Sequence, residues 1–197
     1  MEKIILASAS PRRREILNAV GIEFEVVKSD ADEESVSKEL APEIYVQELA
    51  LLKAVDATKK LKEKNRQNML IISADTVVVS DCKILGKPVD KEDAKRILTS
   101  LSGKEHSVIT GICITRLDDA FSVCDSVTTK VKFRKLADTE IDEYIKTGEP
   151  MDKAGAYGIQ GRGALLTEGI CGDYFNVVGL PVSRLCEILR TEFGYSI

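Results

Sequence analysis

The 197-residue chain has no tryptophan, one histidine and no Cys-x-x-Cys spacing. His106 is not spaced to complete a zinc site with any cysteine, and no Ser-His-Asp or Cys-His arrangement stands out. Long apolar runs are missing too. None approaches the about 20 residues that span a bilayer, and Ile4–Ala7 is too short for a leader and runs into arginines. Net charge is −4, which argues against a general nucleic-acid binder. There are no repeats, low-complexity tracts or Pro/Ser-rich linkers. The five cysteines, Cys82, Cys113, Cys124, Cys171 and Cys186, are odd in number and sit mostly among apolar residues. They read as reduced, mostly buried thiols of a cytoplasmic protein.

Hydrophobic content of 44% and charged content of 30% describe an ordinary globular chain. Its patterns alternate in an α/β manner. Strands are predicted over Lys3–Ala7, Phe24–Lys28, Met69–Ala74, His106–Leu117, Phe121–Phe133 and Ala164–Ile170. Val77–Ser80 and Lys83–Leu85 suggest a hairpin. Helices are predicted over Pro11–Val20, from Pro42 to about Lys64, from an Asp90 cap to Leu101, over Thr139–Thr147 and from about Val182 to Phe193. Ser29–Glu39 reads as an acidic loop. Residues 103–133 suggest a second, smaller lobe on a mixed sheet.

Several residues break these patterns. In Ser8-Ala9-Ser10-Pro11-Arg12-Arg13-Arg14, Ser10 reads as an N-cap and Pro11 as the first helical residue. Three arginines then crowd the positive end of the helix dipole, a placement disfavoured by about 0.3–1 kcal/mol each. Either they are a solvated basic helix start, or they face a phosphate or carboxylate. Lys53 falls on the apolar stripe of Val46, Leu49, Ala50, Ala54 and Ala57, so it either snorkels or meets an anion. Asp75 interrupts an apolar run from Leu70 to Val79. It marks either a turn or bulge, or a strand-end carboxylate that holds a metal or accepts a proton. Lys87, in Gly86-Lys87-Pro88, is either a phosphate contact or a surface turn lysine. His106 reads as structural rather than catalytic. Cations Arg12, Arg13, Lys53 and Lys87 with carboxylates Glu33, Asp75 and Asp90 suit a polyphosphate, a divalent metal and a water.

The segments Leu6–Arg13, Ser73–Val78, Gly86–Asp90, Leu101–Val108, Asp152–Gly161 and Asn176–Pro181 resemble the Maf family in order and spacing, over essentially the whole chain. The resemblance implies a single domain over 1–197, with a two-lobed α/β fold like the inosine triphosphate pyrophosphatases and a cleft between the lobes. It implies hydrolysis of a nucleoside triphosphate to the monophosphate and pyrophosphate, with Mg²⁺ or Mn²⁺ as cofactor. Asp75 matches the family's proton acceptor, and Arg13, Lys53 and Lys87 match phosphate-binding positions. Glu33, with Asp75, matches the metal site. Ser8, Arg12, Thr76 and Gln160 match substrate contacts. Arg12, Thr76 and Gln160 resemble the branch acting on dTTP and UTP rather than 7-methyl-GTP. A Gln amide offers both complements to a uracil or thymine edge. The substrate would be a normal or modified pyrimidine nucleotide, with no nucleic-acid or membrane partner and a homodimer as the assembly. Two other readings stay open: a nucleotide-binding regulator of septum formation, and a purine house-cleaning enzyme.

Overall fold

Residues 2–61 and 67–195 are described by a computed structural model. The strands are β1 (Lys3–Leu6), β2 (Phe24–Val26), β3 (Met69–Ser80), β4 (Lys83–Leu85), β5 (Glu105–Arg116), β6 (Ser122–Phe133) and β7 (Thr167–Cys171). The helices are α1 (Pro11–Ala19), α2 (Pro42–Lys60), α3 (Lys91–Leu101), α4 (Asp138–Lys146), α5 (Tyr174–Val178) and α6 (Val182–Phe193). The seven strands hydrogen-bond in the order β2-β1-β3-β5-β6-β7, with β4 on β3. β1 runs parallel to β2 and β3, whereas β3–β4 and β6–β7 are antiparallel, so the sheet is mixed as expected.

The chain divides into two compact units. The first holds Met1–Asp75, Thr110–Val127 and Gly179–Ile197. Here Ile4 pairs with Phe24 on one side and Leu70 on the other. The stripe predicted for α2 is its buried face: Val46, Leu49, Ala50, Ala54 and Ala57 are all at most 2% exposed. Ile5 and Ile71 pack against Ala54 and Ala57, small side chains that bring the helix close to the strands. The helix predicted to reach about Lys64 ends at Lys60, with Leu61 already extended; residues 62–64 lie outside the described residues.

The second unit holds Thr76–Ile109 and Thr128–Val178. Its core gathers Leu98, Leu101, Val131, Phe133, Ile141, Tyr144 and Tyr157. Asp90 caps α3 by accepting the Asp93 amide at 2.8 Å. The stretch 103–133, read from sequence as a smaller lobe, is shared: 110–127 belong to the first unit, the rest to the second.

Other elements differ from expectation. β3 runs unbroken through Asp75, with no turn there. Residues Gly161–Leu166 form a 3-10 turn, so β7 starts only at Thr167. The short α5 has no counterpart in the sequence reading. Of the cysteines, all thiols, only Cys113 is buried; Cys124 and Cys186 are half-buried, and Cys82 and Cys171 are exposed. His106 is structural in its surroundings, buried against Phe133 and Tyr157 with Nε2 2.6 Å from Tyr157 Oη.

Candidate active site

In the first unit two pattern-breaking residues and a loop carboxylate come together from three elements. Lys53, on the fourth turn of α2, points its ammonium at Asp75 in β3, with Nζ 2.5 Å from Oδ1. Glu33, from a 3-10 turn at Glu33–Ser35, reaches the same ammonium at 2.9 Å. Lys53 and Asp75 side chains are each 14% exposed and Glu33 is 53% exposed. Lys53 therefore meets anions rather than merely snorkelling. The cation in turn explains how a strand accommodates Asp75, since a half-buried carboxylate needs such a partner.

Arg13 completes the cluster. Its Nε donates to the Gly179 carbonyl at 2.8 Å, and Nη1 donates to Ser8 Oγ at 3.1 Å. Those bonds fix the guanidinium plane. Loss of solvent pulls its pKa below the usual value, opposed by the charges of Asp75 and Glu33 and assisted by that of Arg12. The first turn of α1 carries no acid of its own, so the carboxylates that offset Arg13 come from β3 and the acidic loop. Ser10 holds the N-cap position, but its side chain makes no capping bond. Ser8 does related work instead: its Oγ accepts the Ser10 amide at 3.2 Å.

Thr76, Lys87 and Gln160 belong to the second unit. Thr76 is half-buried; Lys87 and Gln160 are exposed. The Gly155 amide donates to the Gly86 carbonyl at 3.0 Å, tying the Lys87 turn to the glycine-rich segment. That segment is built for close approach. A Cβ on Gly163 would lie 2.0 Å from the Gly158 carbonyl oxygen, and the Gly158 amide donates to Tyr144 Oη at 3.3 Å. Glu149 accepts the Arg162 amide at 3.4 Å, so Gln160 sits between two anchored points. Asp90 is a helix cap, which removes it from the set of metal candidates.

Among the described residues no group of three His, Cys, Asp or Glu side chains is placed to hold a metal. Two carboxylates converging on one ammonium do fit a divalent cation of the Mg²⁺ kind, which takes one or two protein carboxylates and completes its shell with water and substrate phosphates.

Pattern reading missed three contributors. The Gly179 carbonyl has no side-chain signature. Ser73, whose Oγ donates to the Ala50 carbonyl at 2.6 Å, ties α2 to β3 near Lys53 and Asp75. Gly111 lies against α2, where a Cβ would come 2.3 Å from the Val46 carbonyl oxygen. An isolated glycine inside the apolar β5 run was the available signal for the last of these.

A family model described as Maf-like protein matches residues 3–192. A protein of Thermoanaerobacter sp. (strain X514) named dTTP/UTP pyrophosphatase is 52% identical over 191 residues, 97% of each chain. One of the same name from Acetivibrio thermocellus is 51% identical, covering 100% of this chain and 98% of its own. Among solved structures, a HAM1 protein from Coxiella burnetii superposes with a TM-score of 0.50 at 15% identity, over 96% of this chain and 98% of that one. That likeness shows the fold.

Proposed function

The chain belongs to the Maf-like family, and from that premise we propose that it hydrolyses dTTP and UTP to the nucleoside monophosphate and pyrophosphate. The observation that carries this reading is the name shared by relatives about half identical over nearly the whole chain. The Arg13–Lys53–Asp75–Glu33 cluster supplies chemistry that fits it.

Asp75 is the proton acceptor for the attacking water. Its Lys53 partner holds the carboxylate in place, and a positioned base of this kind contributes about 10²–10⁴-fold. Arg13, held at two of its nitrogens, presents its fork to phosphate oxygens. Ser8, Arg12 and Lys87 are further substrate contacts. Glu33 and Asp75 would hold a Mg²⁺ or Mn²⁺ ion. When bound, that ion neutralises charge developing on the phosphates. The exposed Gln160 amide, with Thr76, reads the pyrimidine edge, since one amide donates and accepts.

Among the described residues no helix is long and apolar enough to cross a membrane. We place the reaction in the cytoplasm, a reading supported by five cysteines that are all thiols. A homodimer is proposed on family resemblance and is checked by light scattering.

The test is pyrophosphate release from dTTP, UTP, 7-methyl-GTP and ITP, with and without Mg²⁺ or Mn²⁺, beside Asp75→Asn. Metal-dependent release from dTTP and UTP, lost in the variant, is expected. Preference for ITP would favour the purine enzyme. Folded protein that binds nucleotide and never releases pyrophosphate would favour the regulator.

A further inference from the structure

β5 and β6 form a hairpin whose register can be followed by its contacts. The Arg116 amide donates to the Phe121 carbonyl at 2.8 Å, and Thr115 Oγ1 lies 2.9 Å from Ser122 Oγ. Farther along, Lys130 Nζ reaches Ser107 Oγ at 2.9 Å in the same register. Two residues on from the Thr115–Ser122 pair, Cys113 stands directly opposite Cys124 on the same face. The register therefore sets the two thiols facing each other across the hairpin. Directly opposed antiparallel residues have Cα atoms about 4.5–5.5 Å apart, inside the about 4.4–6.8 Å range of disulfides.

The pair is asymmetric. Cys113 is fully buried, with Sγ 3.8 Å from Thr115 Oγ1, whereas Cys124 is half-buried and open to a reagent. The neighbouring Cys113 pulls the Cys124 thiol below its usual pKa, while Cys124 and burial raise that of Cys113. The backbone at this point leads back to the candidate active site. Ser73 Oγ contacts both the Cys113 carbonyl, at 3.3 Å, and the Ala50 carbonyl, at 2.6 Å. Ser73 is two residues from Asp75, and Ala50 is three residues from Lys53.

We infer that Cys113 and Cys124 are an oxidative modification site, closed into a cross-strand disulfide by a low-molecular-weight disulfide, and that closure reaches the Lys53–Asp75 pair through Ser73. The Cys124 thiolate attacks one sulfur of the reagent, forming a mixed disulfide and releasing a first small thiolate. The Cys113 sulfur then attacks Cys124 Sγ, the new S–S bond forms, and a second small thiolate leaves. The two thiol protons pass to the two departing thiolates. The protein dithiol is oxidised and the reagent is reduced to two thiols. The consequence for turnover rests on the proposed function; the disulfide itself does not.

The experiment treats the full chain carrying C82S, C171S and C186A with cystamine, then maps thiols by alkylation and mass spectrometry and measures dTTP turnover. The expected result is a Cys113–Cys124 disulfide, reversed by dithiothreitol, with kcat lowered several-fold and KM little changed. The further C124S variant should keep its turnover under cystamine. A stable cystamine adduct on Cys124 without closure, no reaction at either thiol, or closure with unchanged turnover overturns the inference. If the reduced protein releases pyrophosphate from no nucleotide, the functional reading fails, while the mass measurement still decides the disulfide.

Discussion

Lys53 serves two carboxylates that depend on it unequally. Glu33 is 53% exposed and can turn to water, but Asp75 at 14% cannot. Removing one partner of a buried pair leaves an uncompensated charge and is strongly destabilising, about 3–5 kcal/mol at full burial. Lys53→Met should therefore cost about 2–3 kcal/mol, a value reduced for this partial exposure. Asp75→Asn leaves Lys53 paired with Glu33 and should cost about 1 kcal/mol. Both should lower dTTP turnover by roughly a hundredfold or more. Urea unfolding and pyrophosphate release test this together; equal destabilisation, or turnover retained in Asp75→Asn, would count against the assigned roles. Gln160→Glu, at an exposed position, should change stability by no more than about 0.5 kcal/mol. Its kcat/KM for dTTP and UTP should fall roughly ten- to a hundredfold, the value of one recognition hydrogen bond. An unchanged substrate preference would remove Gln160 from base recognition. These residues differ in how visible they are in the sequence. Lys53 on an apolar stripe, Asp75 inside a strand pattern and arginines at a helix start each violate a local rule, and their mutual compensation places them together. Glu33 lies in an irregular acidic loop with no pattern to violate, and backbone partners such as the Gly179 carbonyl leave no trace at all.

At the scale of elements, α2 matters because it carries Lys53 across β3 and β5. Gly111 sets that spacing: a Cβ there would meet the Val46 carbonyl carbon at 2.4 Å and the Gln47 amide nitrogen at 2.7 Å. These are helix backbone atoms that cannot swing aside. Gly111→Ala should therefore destabilise by about 3 kcal/mol, the upper end of ordinary overpacking. It should also slow turnover by shifting Lys53 from Asp75. Gly86→Ala, where a Cβ meets nothing within 4 Å, should stay within about 0.5 kcal/mol of the parent. Comparable melting temperatures for the two variants would refute this account. The elements themselves are largely legible. Apolar spacing marks the buried face of α2, and Asp90 marks the start of α3. Elsewhere short segments mislead. Asp75 suggests a break in β3 because aspartate is depleted in strands, yet an ion pair offsets the cost and the ladder continues. The five residues of α5, Tyr-Phe-Asn-Val-Val, are too few to show a helical period and have strand-like propensities. The Gly161–Leu166 turn reads as strand in its apolar end.

For the molecule as a whole, the most direct handle on stability is pH, through its one histidine. His106 is 2% exposed, and its ring meets Phe133 and Tyr157 edge-on at 5.0 and 5.3 Å between centroids. Nε2 bonds Tyr157, while Nδ1 has no hydrogen-bond partner. An imidazolium would need an acceptor for both N–H groups, so this site favours the neutral ring. Burial, with a smaller contribution from the Lys130 charge, lowers the pKa from 6.5 to about 4. A base with a depressed folded pKa binds fewer protons in the native state than unfolded. Its contribution is therefore present in full above pH 6.5, declines as pH falls, and is gone below about 4. The difference amounts to about 3 kcal/mol, at about 1.4 kcal/mol per pH unit within the window. The carboxylates held below their usual range, such as Asp56 and Glu140, add losses only near the acid end of that window. Between pH 6.5 and 5 the decline should come chiefly from His106. His106→Gln keeps a polar partner for Tyr157 and cannot titrate, so its unfolding free energy should stay nearly flat over that interval while the parent loses about 2 kcal/mol. Urea titrations of both proteins at several pH values make the comparison independent of what the substitution costs at neutral pH. Parallel pH profiles would show that the ring takes up its proton in the folded core as readily as in the unfolded chain, and that the aromatic cluster tolerates the charge.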